Sequence, residues 1–350
     1  WEDYSAEQNK KNPFENHACG FRQGKEYQII MEKTEIPVID VIIPAYRPDD
    51  SFHKLIRLLL EQSVKPHHIY VLQTIEDGEQ VLQPLDQRMS VHPVPKKEFD
   101  HGATRDYGAG LAVKDIGDDI SQHYILFMTQ DAVPAGTELL ERLVKPFGDD
   151  RTAITYARQL AREEADLLER LTRVHNYPPE DQVKSKEDLE RLGIKTYFCS
   201  DVCAMYRLDR YMEQGGFVHP TIFNEDMIMA SRMIQAGYQV VYCGSAEVVH
   251  SHNYSCMQQF HRNFDLGVSQ KQYREVFESI SSEKEGAGYA KSTLLYLLKR
   301  GKPGKAFYFA LQCGFKLIGY KLGKNYDHLP RKMVLWCTMT PGYVLFHQDE

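Results

Sequence analysis

Residues 37–51, PVIDVIIPAYRPDDS, begin as a β-branched apolar run and end in a proline and three capping residues. The run Pro37–Ile43 is short and rich in Val and Ile, which predicts a buried strand, ended by Pro44. Asp49, Asp50 and Ser51 can cap a helix, because their side-chain oxygens accept from the free N–H groups of a first turn. Leu55, Ile56, Leu59 and Leu60 follow at helical spacing, and Pro66 breaks the segment. His68–Leu72 (HIYVL) predicts the next strand, about Gly102–Asp115 a second helix, and Tyr124–Met128 (YILFM) a third strand. Strand, helix, strand, helix, strand implies an α/β fold: a mainly parallel, Rossmann-like sheet flanked by helices. Ligands bind beyond the carboxyl ends of such strands, so Pro44–Arg47, Gln73–Asp77 and Thr129–Pro134 are expected to line one crevice.

Beyond Arg151 the pattern becomes mixed. Ala153–Ala157, Tyr197–Tyr206, Tyr238–Tyr242 and Glu247–His252 predict strands, while Arg162–Arg173 and Asn224–Ala236 predict helices. Residues 1–36 are polar and read as an irregular lead-in. The expected organisation is therefore 1–36 lead-in, 37–255 catalytic domain with halves 37–134 and 135–255, and 256–350 a helical basic extension. Within that extension, residues 291–332 hold ten Lys or Arg against the single acid Asp327, although the chain as a whole carries a net charge of -7. Leu294, Leu295, Leu297 and Leu298, then Phe307 to Tyr320, place apolar and aromatic residues among these lysines. Such helices suit the interface of an anionic membrane, and equally suit packing against a core with the lysines in solvent.

The net charge argues against nucleic acid as a partner, and the longest apolar run is too short to predict a membrane span. The opening Trp-Glu-Asp lacks the basic-then-apolar pattern of a secretory signal. Seven cysteines with no CxxC pair read as free thiols, which points to the reducing cytoplasm. No GxGxxG follows a strand, and neither GxxxxGK[ST] nor GxSxG occurs, which removes the key residues of dinucleotide, P-loop and serine-hydrolase sites.

Four groups carry candidate chemistry. Asp131 follows a buried strand at the crevice end, where a carboxylate can hold a divalent metal or simply form a turn. In His101-Gly102-Ala103-Thr104-Arg105-Asp106, Gly102 permits a close backbone approach and Arg105 can reach a phosphate or an acid. Asn224-Glu225-Asp226 precedes a helix; its acids either cap that helix or supply a general base. His250 and His252 are two apart, so on a continuing strand they share a face, as metal or phosphate contact requires.

These segments, in order, resemble the inverting family 2 glycosyltransferases of GT-A fold, and more narrowly bacterial rhamnosyltransferases. The resemblance runs from about Val38 to Asn253. It rests on DVIIPAYRPDD (40–50), FDHGATRDYGA (99–109), ILFMTQDAVP (125–134), FNEDMIMASRMIQAGY (223–238) and VVHSHNYS (248–255). It implies that Pro44, Ala45 and Tyr46 cradle the nucleotide, with Gln73 and Thr74 at the base and Gly102 and Arg105 near the nucleotide. Gln130 and Asp131 take the place of the metal-binding acidic element, whose usual first acid is Thr129 here. Asp226 takes the place of the catalytic base, with Glu225 beside it, and His252 or His250 that of the histidine on metal or diphosphate. The implied cofactor is Mg2+ or Mn2+. The implied donor is dTDP-L-rhamnose or a UDP-sugar, and the acceptor a glycan, free or lipid-linked, at the inner face of the plasma membrane. The competing readings are a transferase using another nucleotide-sugar such as a UDP-hexose, a sugar nucleotidyltransferase, and a non-catalytic nucleotide-sugar-binding subunit.

Overall fold

A computed structural model describes residues 37–116, 120, 122–278 and 283–347; the expected lead-in 1–36 lies outside them. The first strand, β1 (Val38–Tyr46), is apolar except for Asp40, which is bonded to His67, because both its faces are covered. Ile39, Val41 and Ile43 point into one core layer with Phe52, Leu55, Ile56 and Leu59 of α1 (Asp50–Leu60). Ile42 points into the opposite layer, against Ala109 and Ala112 of α2 (His101–Ile116). The cap of α1 forms as expected: the N–H groups of Ser51 and Phe52 donate to Asp49 Oδ1 at 2.9 and 3.3 Å.

Pro44 does not end β1. The strand runs on to Tyr46, and beyond Ile42 it is paired with β2 (His68–Ile75) alone. A proline lacks the N–H of a ladder bond, so it is tolerated where one flank of the strand has lost its partner. The sheet order is β3-β2-β1-β4-β8-β6-β9-β5, with β7 on β9. Here β3 is Met89–Pro95, β4 His123–Met128, β5 Val133–Pro134, β6 Thr152–Leu160, β7 Gln182–Lys184, β8 Cys203–Arg207 and β9 Gln239–Val249. Strands β1 to β4 are mutually parallel, β8 is antiparallel to both its neighbours, and β6 and β9 are parallel.

Two strand expectations change. Tyr197–Tyr206 pairs only from Cys203; residues 193–197 form a 3-10 turn, buried by contact with the core rather than by a ladder. Gln239–Tyr242 and Glu247–Val249 are one strand, interrupted opposite Ala157/Arg158 by a bulge around Gly244–Ala246, and it stops before His250. The bulge breaks the sequence alternation, so one strand reads as two.

After α3 (Leu139–Val144), α4 (Leu167–Asn176) and α5 (Glu225–Gln235), the described residues from 256 on are mainly helical. They comprise α6 (Cys256–Gln272), α7 (Glu283–Lys299), α8 (Pro303–Gly323), α9 (Arg331–Cys337) and α10 (Pro341–His347). A Cβ at Gly319 of α8 would lie 2.3 Å from the Phe260 carbonyl oxygen of α6, so glycine there lets the two backbones touch. Phe260, Phe264, Val334 and Tyr343 close this layer around Ile222, just ahead of α5, and the described residues form one unit.

Candidate active site

The carboxyl ends of β1, β2 and β4 open into one crevice, lined by Pro44, Ala45 and Tyr46, then Thr74, then Thr129 and Gln130, with Lys96, Phe99, His101 and Arg105 opposite. The three expected loops thus meet. Gln130 holds two of them together: its amide accepts from the Tyr46 N–H at 2.8 Å and donates to the Tyr46 carbonyl at 3.0 Å. A primary amide carries both a donor and an acceptor, so it satisfies both orphan groups of a strand end. At the rim the Tyr46 hydroxyl donates to Glu76, which also accepts from Lys96 at 2.6 Å. Lys96 first, and Tyr46 second, hold the Glu76 acid down at about 2.

Gln73 is not part of the lining. Its amide donates to the Gln80 carbonyl and accepts from the Leu82 N–H, so it orders the 80–82 loop instead. Thr74 is the residue presented, and its buried hydroxyl has no partner among the described residues. Gly102 also serves a different purpose from the one expected. A Cβ there would meet the Val218 carbonyl oxygen at 2.2 Å, so the close approach is to the protein's own backbone. Gly102→Ala is expected to cost about 1–3 kcal/mol by overpacking, read as a lowered midpoint in thermal melting. An unchanged midpoint would show that the 217–218 segment yields freely.

Arg105 is buried and binds acids, not solvent. Its guanidinium donates to Glu225 at 2.9 Å and to the His101 carbonyl at 3.0 Å, and its Nε lies 3.8 Å from Asp201. Glu225 and Asp226 begin α5 without side-chain capping by Asn224, whose amide donates instead to Ser269 of α6. Pairing with Arg105 leaves Glu225 a bound counter-ion. Among the described residues Asp226 accepts only from backbone N–H groups, those of Met227 at 2.7 Å and Asp201 at 3.3 Å. Burial, and then the charge of Glu225, push the Asp226 carboxyl from 3.8 up to about 7. Such a carboxylate can take a proton near neutral pH, where an ordinary Asp is too weak a base. Asp201, missed in the sequence reading, completes this buried group. Its signal was an acid inside an apolar run, which must find a partner.

At the other side, beyond Gln130, Asp131 meets both histidines although β9 has ended. Asp131 Oδ2 is 3.6 Å from His250 Nε2 and 3.4 Å from His252 Nε2, and the two Nε2 atoms are 3.0 Å apart. Two ligands about 2.1 Å from one cation stand about 3.0–3.4 Å apart at octahedral or tetrahedral angles. The three donors, one carboxylate oxygen and two imidazole nitrogens, therefore fit a divalent cation. The tautomer of His250 follows from its neighbours. Arg173, a donor only, bonds Gln159 Oε1, so that oxygen must accept from His250 Nδ1 as well, at 3.0 Å. Nδ1 then carries the proton and Nε2 keeps its lone pair toward Asp131. Burial, only partly opposed by Asp131, pushes His250 down to about 3, so the ring is neutral. Arg162, also missed, donates to the Asp131 carboxylate at 3.2 Å and to its carbonyl at 3.0 Å. The sequence reading had placed it inside a helix that begins only at Leu167.

A mixed α/β sheet with a carboxyl-end crevice, a candidate metal-ligand cluster following its Gln130 and a raised carboxylate next to the partner of its Arg105 agrees with a glycosyltransferase of GT-A fold. The chain belongs to glycosyltransferase family 2: residues 40–213 match the family described as "Glycosyl transferase family 2". It is 36% identical over 315 residues to the O-antigen chain rhamnosyltransferase RfbN of Salmonella typhimurium, covering 87% of this chain and 95% of that one. It is 33% identical to the O-antigen chain rhamnosyltransferase WbaN of Salmonella anatum, covering 88% and 96%. Among solved structures it is similar to the mannosyltransferase PcManGT of Pyrobaculum calidifontis, in complex with GDP-Man and Mn2+. The TM-score is 0.52 at 12% identity, over 85% of this chain and 89% of that one, a likeness of fold.

Proposed function

We propose that this glycosyltransferase moves L-rhamnose from dTDP-L-rhamnose to a hydroxyl of a glycan in O-antigen or related polysaccharide synthesis, with inversion at the anomeric carbon. Two observations carry the chemistry: the Asp131–His250–His252 cluster, which follows the crevice-lining Gln130, and Asp226, whose carboxyl is raised to about 7 and whose neighbour Glu225 bonds the crevice-lining Arg105. The choice of rhamnose rests on the two Salmonella relatives.

In this reading Asp131, His250 and His252 hold a divalent metal, and two imidazoles among three donors favour Mn2+ over Mg2+. Bound there, the cation supplies positive charge for the departing nucleoside diphosphate. Arg162 adds a fixed charge beside it. Pro44, Ala45, Tyr46 and Thr74 receive the nucleotide, the Thr74 hydroxyl being free to bond it. Asp226 accepts the proton of the acceptor hydroxyl as its oxygen attacks from the face opposite the leaving group. Arg105 and Glu225 fix the start of α5 and so aim that carboxylate. A lipid-linked glycan as acceptor would bring the reaction to the surface of a bilayer.

Calorimetry with Mn2+ and a panel of dTDP-rhamnose, UDP-glucose, UDP-galactose and GDP-mannose tests the donor. Tightest binding of dTDP-rhamnose, with turnover to an α-linked product by NMR, is expected. Preference for a UDP-hexose, or retention of configuration, overturns the reading, and binding without turnover on any acceptor identifies a non-catalytic subunit. Gln159→Leu removes the acceptor that orients His250, a class of loss that costs roughly 10–100-fold in metal affinity. The Mn2+ concentration for half-maximal activity is expected to rise by that factor with little change in saturated turnover. No rise removes Gln159 from the assembly.

A further inference from the structure

Helix α8 is apolar on nearly every side but is covered on only one. Phe309, Gln312, Gly319 and Gly323 face inward, toward α6 and α7. Phe307, Leu311 and Ile318, spaced i, i+4 and i+11, form a line on the opposite side and are 74%, 43% and 56% exposed. On the adjoining α7, Leu295 and Leu298 are 48% and 54% exposed. A helix that is apolar all round is normally buried all round, so this outer face is built to be covered. The face is also basic. Lys291 and Lys299 share the side of Leu295 and Leu298 on α7, Lys321 flanks Ile318 on α8, and all three are exposed; Asp327, the single acid between residues 291 and 347, is bridged to Lys271.

Chemistry selects the occupant. A second copy of this chain would bring like charges together, and a polyanion in water has no use for a line of Phe, Leu and Ile. No helix among the described residues is long and apolar enough to cross a membrane, so the face cannot be one side of a span. An anionic lipid surface answers both features: its headgroups pair with the lysines and its acyl boundary covers the apolar line. We propose that the outer face of the α7–α8 hairpin docks this protein reversibly onto an anionic lipid bilayer, lying along the interface with Phe307, Leu311 and Ile318 inserted. The hairpin packs through Leu297, Ala306 and Phe309 onto Leu168 of α4. Helix α4 also carries Arg173, which bonds the Gln159 oxygen shared with His250. Docking would therefore hold the transfer site at a fixed position above the bilayer.

Co-sedimentation of the full chain with vesicles tests this, using phosphatidylcholine alone and phosphatidylcholine mixed equally with phosphatidylglycerol. The expected result is pelleting with the anionic vesicles at low salt, weakening as salt is added, and little pelleting with the neutral ones. The double variant Phe307→Ser/Ile318→Ser is expected to lower partitioning by roughly tenfold or more. Lys299→Gln and Lys321→Gln are each expected to lower it by roughly fivefold. All four side chains are exposed, so melting and transfer to a soluble acceptor should match the wild type, which separates this surface from the site's chemistry. Three results overturn the proposal: no pelleting with anionic vesicles at low salt, equal pelleting with neutral ones, or unchanged pelleting of the Phe307/Ile318 variant. A variant whose mass by light scattering falls while its vesicle binding persists would assign the face to self-association, and this too overturns it.

Discussion

Replacing Asp131 with alanine is expected to abolish sugar transfer, and excess EDTA to do the same to the wild type. Asp131 is the only carboxylate in the ligand cluster, and two neutral imidazoles alone leave a cation without a counter-charge. The departing diphosphate would then leave without the charge that stabilises it. Losing one such preorganised electrostatic partner costs on the order of a hundredfold to a thousandfold in turnover, and here the metal is lost with it. Asp131 also receives Arg162, so the substitution leaves a half-buried guanidinium with only the Asp131 carbonyl. Thermal melting of the variant, together with Asp131→Asn as an isostere, separates loss of fold from loss of metal. Mn2+ titration by calorimetry should detect binding to the wild type and none to Asp131→Ala. Full activity of the wild type in excess chelator would sink the metal part of the proposal.

Asp226→Asn should reduce turnover by roughly a hundredfold or more, the usual scale for loss of a general base, while donor binding stays near normal. The side chain keeps its size and its contacts with the Met227 and Asp201 N–H groups, but it can no longer take a proton. Because burial holds the acid at about 7, the wild-type rate should rise with pH through about 7 and level off above it, as the carboxylate ionises. The residual rate of the variant should lack that rise. Stability runs the other way. The unfolded chain sheds this proton near 3.8 and the folded one near 7, so wild-type stability falls as pH rises between those values. Asp226→Asn removes that dependence and should melt no lower than the wild type at pH 8. If a normally folded Glu225→Gln loses far more turnover than Asp226→Asn, the wrong carboxylate has been chosen. The Arg105–Glu225 pair argues against that outcome, since the Glu225 carboxylate is already engaged by the buried Arg105 guanidinium.

The residues in the crevice were legible to different degrees. Pro44 to Tyr46, Thr129 and Gln130 lie at strand ends, and strand ends follow from local apolar runs, so their convergence could be read in advance. His250 and His252 were paired by a strand argument, but the strand stops at Val249; the rings meet because Gln159 and Asp131, on other elements, hold them. Arg162 and Asp201 left only weak traces, since nothing in a charged stretch or a short apolar run names a partner far along the chain. Gln73 was misplaced for the complementary reason: a buried amide at a strand end can serve the loop beside it as readily as a ligand.

By itself the sequence determined β1, α1, β2, α2 and β4 in order, though not the edge strand β3, and also the cap of α1, the side of the sheet on which ligands bind and the charge contrast of the last sixty residues. Each is set by interactions between near neighbours: a β-branched run, a side-chain oxygen within a turn of free N–H groups, a proline, a local count of lysines. The tertiary structure alone decided that β8 enters the sheet antiparallel, that β9 is one bulged strand, and that Glu225 belongs to Arg105 while Asp226 is left basic. It alone decided which side of α8 remains uncovered. These outcomes depend on burial and on partners about a hundred residues away, as between Arg105 and Glu225. A buried charge is stabilised or driven neutral by what surrounds it in space, and the order of residues along the chain does not carry that information.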